Sequence, residues 1–151
     1  MVEQLNFPPV EIKSRLQNGV EELWDPMRKK YLVAQPEEWV RQHWISFLNQ
    51  HLGYPLSLGK TEVGLSYLSE KKRCDIIWYT SQGTPLVLVE VKRPGVKITQ
   101  EVFNQIGVYN LHFKVPYLIV SNGMDHFFIE VDFSKREFKK WDRIPEWSEL
   151  L

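Results

Sequence analysis

The sequence predicts a single α/β domain built on a mixed central β-sheet flanked by helices. Three observations carry this expectation. Cys74-Asp75-Ile76-Ile77-Trp78-Tyr79 and Leu86-Val87-Leu88-Val89-Glu90-Val91-Lys92 are strand-forming runs, and Ser81-Gln82-Gly83-Thr84-Pro85 between them is turn chemistry, so the pair reads as a β-hairpin. Val40, Trp44, Phe47, Leu48 and His51 recur at helical spacing, as do Val102, Ile106, Tyr109 and Phe113. The second helix stands between the hairpin and the apolar run Tyr117-Leu118-Ile119-Val120, an order that needs a crossover and hence a parallel strand pair.

At 151 residues the chain has room for one domain with a real core. Hydrophobic content of 43% and charged content of 25% are ordinary globular values. Lys+Arg and Asp+Glu both number 19, so any attraction for nucleic acid has to be local. Cys74 is the only cysteine, which excludes an internal disulfide and suits a reducing compartment. As a small side chain in an apolar run it reads as a core residue. No apolar run approaches the ~20 residues of a membrane span. The N-terminus lacks the basic start and apolar run of a signal peptide. The expected location is cytoplasmic, with no membrane partner. There is no internal repeat.

In chain order, Asn6-Phe7-Pro8-Pro9 is extended, and residues 11–23 suggest a short helix broken near Asn18-Gly19. Asp25-Pro26 is a turn, followed by Arg28-Lys29-Lys30 and Tyr31-Leu32-Val33. The arm 1–27 is expected to pack on a core of about 28–133, with 134–151 as a tail. Pro36 suits the first position of a helix, and Glu37 and Glu38 suit its first turn. That helix stops at Leu52-Gly53, with Pro55 just beyond. His43 and His51 are isolated and carry no expected role. Residues 58–63 read as a strand carrying Glu62, and 64–72 as a loop or twisted strand end closing on Lys71-Lys72-Arg73. Arg93-Pro94-Gly95 ends the hairpin, Thr99 is an N-cap, and Glu101 sits in the first turn of the second helix. Val115-Pro116 ends it, Asn122-Gly123 is a turn, and Phe127-Phe128-Ile129-Glu130-Val131 is a further strand. Trp141 and Trp147 near the end read as packing residues.

The hairpin carries the candidate chemistry. With its turn centred between Gln82 and Gly83, Asp75 lies opposite Glu90, with Cβ atoms roughly 5 Å apart on one face. Lys92, two residues on, points to the same face. Opposed carboxylates repel unless a cation sits between them, and a divalent metal on oxygen ligands is the natural candidate. A loop of odd length would instead shift the register and separate the carboxylates. A Glu-x-Lys on a strand also reads as a solvated face. Leu86 to Val91, however, is an apolar run typical of a strand covered on both faces, where charges need partners. Lys71-Lys72-Arg73, Lys92-Arg93 and Lys97 would form a basic patch suited to a phosphate backbone.

Arg73-Cys74-Asp75-Ile76, Val89-Glu90-Val91-Lys92 and Gln105-x-x-x-Tyr109, in that order, resemble the PD-(D/E)XK nucleases. More narrowly the chain resembles the N-terminal nuclease domain of type I restriction enzyme R subunits and its stand-alone relatives. Pro36-Glu37-Glu38-Trp39-Val40-Arg41-Gln42, Gly53-Tyr54-Pro55 and Ser121-Asn122-Gly123 strengthen the narrower match. The usual Pro-Asp is Cys74-Asp75 here. The R subunits also continue into motor domains, which 151 residues do not accommodate, so restriction in the full sense is not expected. The resemblance implies a restriction-endonuclease-like fold and metal-dependent hydrolysis of DNA. Asp75, Glu90 and the carbonyl of Val91 would hold Mg²⁺ or Mn²⁺. Lys92 would assist the attacking water, and Gln105 and Tyr109 would contact the nucleic-acid backbone or support the ligands. Glu38 resembles the family's additional carboxylate, with Glu62 as its rival. The implied partners are DNA and either a second copy or a partner protein. The alternative is a non-catalytic nuclease-like module that binds nucleic acid or works only as a subunit.

Overall fold

The computed structural model describes residues 4–64 and 73–151. Three antiparallel strands come first: β1 (Ser14–Gln17), β2 (Val20–Asp25) and β3 (Lys30–Val33). A long helix, α1 (Pro36–Leu52), follows. The main sheet then runs β4 (Gly59–Gly64), β5 (Arg73–Tyr79), β6 (Pro85–Val91), β7 (Tyr117–Ser121), β8 (His126–Asp132) and β9 (Glu137–Trp141), side by side in sequence order. Only β6 and β7 are parallel, and α2 (Gln100–Phe113) connects them. This is a restriction-endonuclease-like α/β arrangement with a mixed sheet.

Residues 11–23 hold no helix. Asn18 and Gly19 both have positive φ, 53° and 79°, and Gln17 pairs with Val20 across them. A two-residue Asn-Gly loop is a strong hairpin signal, because both central positions need φ > 0 and the resulting twist matches that of the strands. Turn chemistry therefore overrides the helical spacing. At the next corner Asp25 is fully buried, and its Oδ1 accepts hydrogen bonds from the backbone N–H groups of Met27 and Arg28.

α1 begins on Pro36 and ends where Gly53 takes φ 75°. Its Val40, Trp44, Ile45 and Leu48 join Ile76, Trp78, Val87, Val89 and Val91 in the larger core. Ile77, Leu88, Leu118 and Val120 point to the other face, where Ile106 of α2 packs on them. Alternation along Ile76 to Trp78 and along Val87 to Val91 thus assigns one helix to each face, while Leu86, at the irregularity, joins Val87 in the larger core. Thr99 stands at the N-cap position of α2, but its side chain makes no capping bond. Trp141 and Trp147 pack against the larger core.

The hairpin loop spans residues 80–84 and is odd in length, as Tyr79 pairs with Pro85. A register shift between Trp78 and Tyr79 then restores Trp78↔Val87, Ile77↔Leu88 and Ile76↔Val89. The paired residues end at Ile76↔Val89, and continuing this register by one residue sets Asp75 across from Glu90. The Lys71-Lys72-Arg73 patch, the Cys74, Glu62 and Tyr109 side chains, and the loop ending at Lys72 lie outside what the structure describes.

Two glycines test different constraints. Gly19→Ala meets no atom within 4 Å and is expected to lose only the backbone cost of positive φ, roughly 1–2 kcal/mol. Gly123 has φ 88°, and a Cβ there would meet Leu5 Cδ2 and Val40 Cγ2, both at 3.0 Å. Gly123→Ala is therefore expected to lose a further ~1–3 kcal/mol from overpacking. Urea denaturation of both variants checks the order.

Candidate active site

Asp75 is the third residue of β5, and Glu90 is the penultimate residue of β6. They are only 8% and 6% exposed. Alternation aims both to the side of Ile77 and Leu88, the side that α2 covers. Asp75 Oδ2 accepts the Val91 backbone N–H at 2.8 Å. Asp75 Oδ1 accepts Arg41 Nη2 at 2.5 Å, from α1 at the end of the ladder. Burial holds the Glu90 carboxyl well above its ordinary range, and the charge of Asp75 and a hydrogen bond between the two groups raise it further. Lys92 opposes that rise without cancelling it.

Behind this pair runs a chain of charges. Arg28 Nε donates to Asp25 Oδ2 at 2.8 Å, and its Nη2 lies 3.6 Å from Glu38 Oε1. Arg41 Nη1 donates to the same Glu38 oxygen at 2.6 Å. Gln42, fully buried, donates Nε2 to Glu38 Oε2 at 2.9 Å. Signs therefore alternate from Asp25 through Arg28, Glu38 and Arg41 to Asp75, and the alternation then fails at Glu90. Glu37 adds another carboxylate, 3.4 Å from Arg41 Nη2. Its pKa is raised, first by burial and then by Asp75, while Arg41 and Lys92 pull it down. Among the described residues, five carboxyl groups (Asp25, Glu37, Glu38, Asp75, Glu90) face three cations (Arg28, Arg41, Lys92), so full ionisation would leave two negative charges uncompensated.

The structure brings together Asp75 and Glu90, with Lys92 close enough to act on Glu90 electrostatically. Lys92 leaves the strand with its backbone N–H on the Ser121 carbonyl at 2.8 Å. Glu38 is linked to Asp75 through Arg41, and both of its oxygens are engaged by Arg28, Arg41 and Gln42. Gln105 is exposed on α2 and makes no hydrogen bond among the described residues. The sequence reading gave Arg41 and Gln42 no role. Their spacing from Glu37 and Glu38, three to five residues along α1, held part of the signal. The Arg41 contact with Asp75 spans 34 residues and leaves no local trace.

The donor set fits a hard divalent cation. Two carboxyl groups lie together, and burial beside Asp75 drives Glu90 toward its protonated form, a proton that a bound cation would replace. No group of three or more His, Cys, Asp or Glu is arranged to hold a metal among the described residues. An ion here would complete its shell with backbone oxygen and water, as hard cations do.

The type I restriction enzyme R protein N terminus family (HSDR_N) matches residues 36–145. The chain belongs to this family. A solved fragment assigned to an HsdR subunit of a type I restriction enzyme from Vibrio vulnificus YJ016 superposes with TM-score 0.55 at 18% identity. The match covers 77% of this chain and 24% of that one, so the chain spans about a quarter of its length. At that identity the likeness speaks for the fold. No curated protein matches the chain. No described helix is long and apolar enough to cross a membrane.

The family's nuclease-like domain therefore carries here a buried carboxyl pair whose protonation is linked to folding. Glu90 binds its proton more tightly in the folded chain than in the unfolded one, where the ordinary value is 4.5. The folded state then holds more protons above that value, so metal-free stability falls as pH rises from 4.5 through the raised pKa. Glu90→Gln is expected to flatten this slope and to melt above the parent at about pH 8. Thermal unfolding in chelator between pH 5 and pH 8 measures it, and an unchanged slope would assign the linkage to another group.

Proposed function

We propose that this chain is a metal-dependent nuclease that hydrolyses DNA phosphodiester bonds. The observation that carries the reading is the break in charge alternation at Asp75 and Glu90, two buried carboxyl groups with no cation between them among the described residues. Family membership supports a nuclease-related role, and the relation to type I R subunits supports DNA and partner subunits as what it meets.

Asp75 and Glu90 would hold Mg²⁺ or Mn²⁺, with the Val91 carbonyl beside them. When bound, the ion would neutralise charge on the phosphate and acidify a water molecule. Lys92 acts electrostatically on Glu90, and its ammonium would orient that water or stabilise developing negative charge. The Val91 N–H holds Asp75 Oδ2, so the carboxylate keeps its orientation without substrate. Gln105, exposed and uncommitted, is available to a phosphodiester backbone. Tyr109 follows it one helical turn later. The second reading, a non-catalytic nucleic-acid module or a subunit dependent on a partner, draws on the engagement of both Asp75 oxygens by Arg41 and Val91.

Incubation with plasmid and linear DNA, with and without Mg²⁺ or Mn²⁺, separates the two. Cleavage is expected only with metal and is expected to vanish in Glu90→Gln and Lys92→Ala. The metal-dependent rise in melting temperature, which mass action requires of a ligand specific to the native state, is expected to disappear in Glu90→Gln. Gln105→Ala is expected to change stability by no more than about 0.5 kcal/mol. The same variant should cut cleavage about 100-fold, the cost of one lost positioning contact. A folded, metal-binding chain that leaves DNA intact would promote the module reading.

A further inference from the structure

Resting on the nuclease reading, the geometry points to Arg41 as an exchangeable counter-ion: in the metal-free chain its guanidinium occupies Asp75, and the divalent cation displaces it.

Three features of Arg41 support exchange. It is the nearest charge to Asp75, with Nη2 at 2.5 Å from Oδ1. Asp75 Oδ2 is meanwhile tied to the Val91 N–H, so an ion approaching Asp75 contends with the guanidinium for Oδ1. A divalent cation and an arginine on one carboxylate repel strongly in a site this buried.

The second feature is that Arg41 has somewhere to go. Its Nη1 is already on Glu38 at 2.6 Å, and Nη2 already lies 3.4 Å from Glu37. Both partners are on its own helix, three and four residues back. Leaving Asp75 does not strand a buried charge, since the guanidinium settles onto carboxylates it already touches. Glu37 is half exposed and gains a full partner by that move.

The third feature is incomplete satisfaction. Arg41 Nε is buried and finds no hydrogen-bond partner among the described residues. Burial disfavours its charge, and the neighbouring carboxylates, Asp75 foremost and then Glu38 and Glu37, outweigh that burial to hold it protonated. An arginine committed permanently to one carboxylate grips it through two donors. This one divides its two terminal nitrogens among three carboxylates and leaves the third nitrogen unused. On this account Arg41 is a positioning residue: it holds Asp75 in place until the ion arrives.

The test is Mn²⁺ binding by the full chain, measured by titration calorimetry and by loss of the free-ion electron paramagnetic resonance signal. Removing the competing charge in Arg41→Gln is expected to tighten Mn²⁺ binding by about tenfold or more, the usual reach of one neighbouring charge. Arg41→Lys keeps the charge and is expected to stay near the parent. A purely structural role predicts weaker binding in both. Arg41→Gln that folds and binds Mn²⁺ no more tightly than the parent overturns the inference. A second readout avoids variants that fail to fold: guanidinium NMR of the parent chain, with the Arg41 signal assigned by its loss in Arg41→Lys. Mg²⁺ is expected to shift that signal and free its hindered rotation, and an unmoved signal at saturating Mg²⁺ overturns exchange. A parent chain that binds no Mn²⁺ sinks the nuclease reading and this inference together. Parent binding with no effect at Arg41 sinks only the inference.

Discussion

Two carboxylates can meet in this fold only because the β5–β6 ladder keeps one register. A five-residue loop would by itself offset the strands and send Asp75 and Glu90 to opposite faces. The irregularity between Trp78 and Tyr79 takes up the extra residue, and from Trp78↔Val87 onward the pairing is regular. The buried alternation makes that register expensive to change. Ile76, Trp78, Val87 and Val89 fill the α1 face, while Ile77 and Leu88 fill the α2 face. A slip of one residue would exchange both sets at once. The position of the carboxyl pair is therefore secured by the apolar residues around it.

Several motifs that carry the family resemblance are structural supports. Tyr54 of Gly53-Tyr54-Pro55 is fully buried and donates its hydroxyl to the Pro145 carbonyl at 3.1 Å. Pro55 O accepts the Trp78 indole N–H at 3.0 Å, which ties the end of α1 to β5. In Ser121-Asn122-Gly123, the Ser121 carbonyl receives the Lys92 N–H, and Asn122 Nδ2 donates to the Val96 carbonyl at 2.8 Å. The chain leaving the Glu-x-Lys is thus held from both ends of its first loop. The N-terminal segment closes over the same turn through Asn6 N–H to the Gly123 carbonyl at 2.9 Å. These residues act on the site by aiming the strand that carries it.

Charge within the site is arranged against the neutral average of the whole molecule. The row from Asp25 to Asp75 pairs each carboxylate with an arginine, so burial is tolerated. Glu90 breaks the row and is driven toward its neutral form by burial and by Asp75. A site whose carboxyl groups outnumber its described cations favours cations locally, whatever the net charge of the chain.

The sequence by itself determined the strands of the main hairpin, the two helices with their ends, and the crossover between β6 and β7. Each of these is set by local periodicity, or by Pro and Gly at positions that demand them. It also placed Asp75 and Glu90 together, because side-chain alternation is a local rule and the bulge preserved the register. The three-stranded opening sheet was legible in Asn18-Gly19 but obscured by helical spacing around it. β9 lay hidden in the polar run 137–141, whose side chains are mostly exposed and show no buried face. Only the tertiary structure decided that Arg41 reaches Asp75 across 34 residues, that Glu38 is enclosed by two arginines and Gln42, and that Glu90 is buried beside Asp75. Those are meetings between a helix and a sheet edge, and pairing of that kind depends on how the elements pack, which no local pattern encodes.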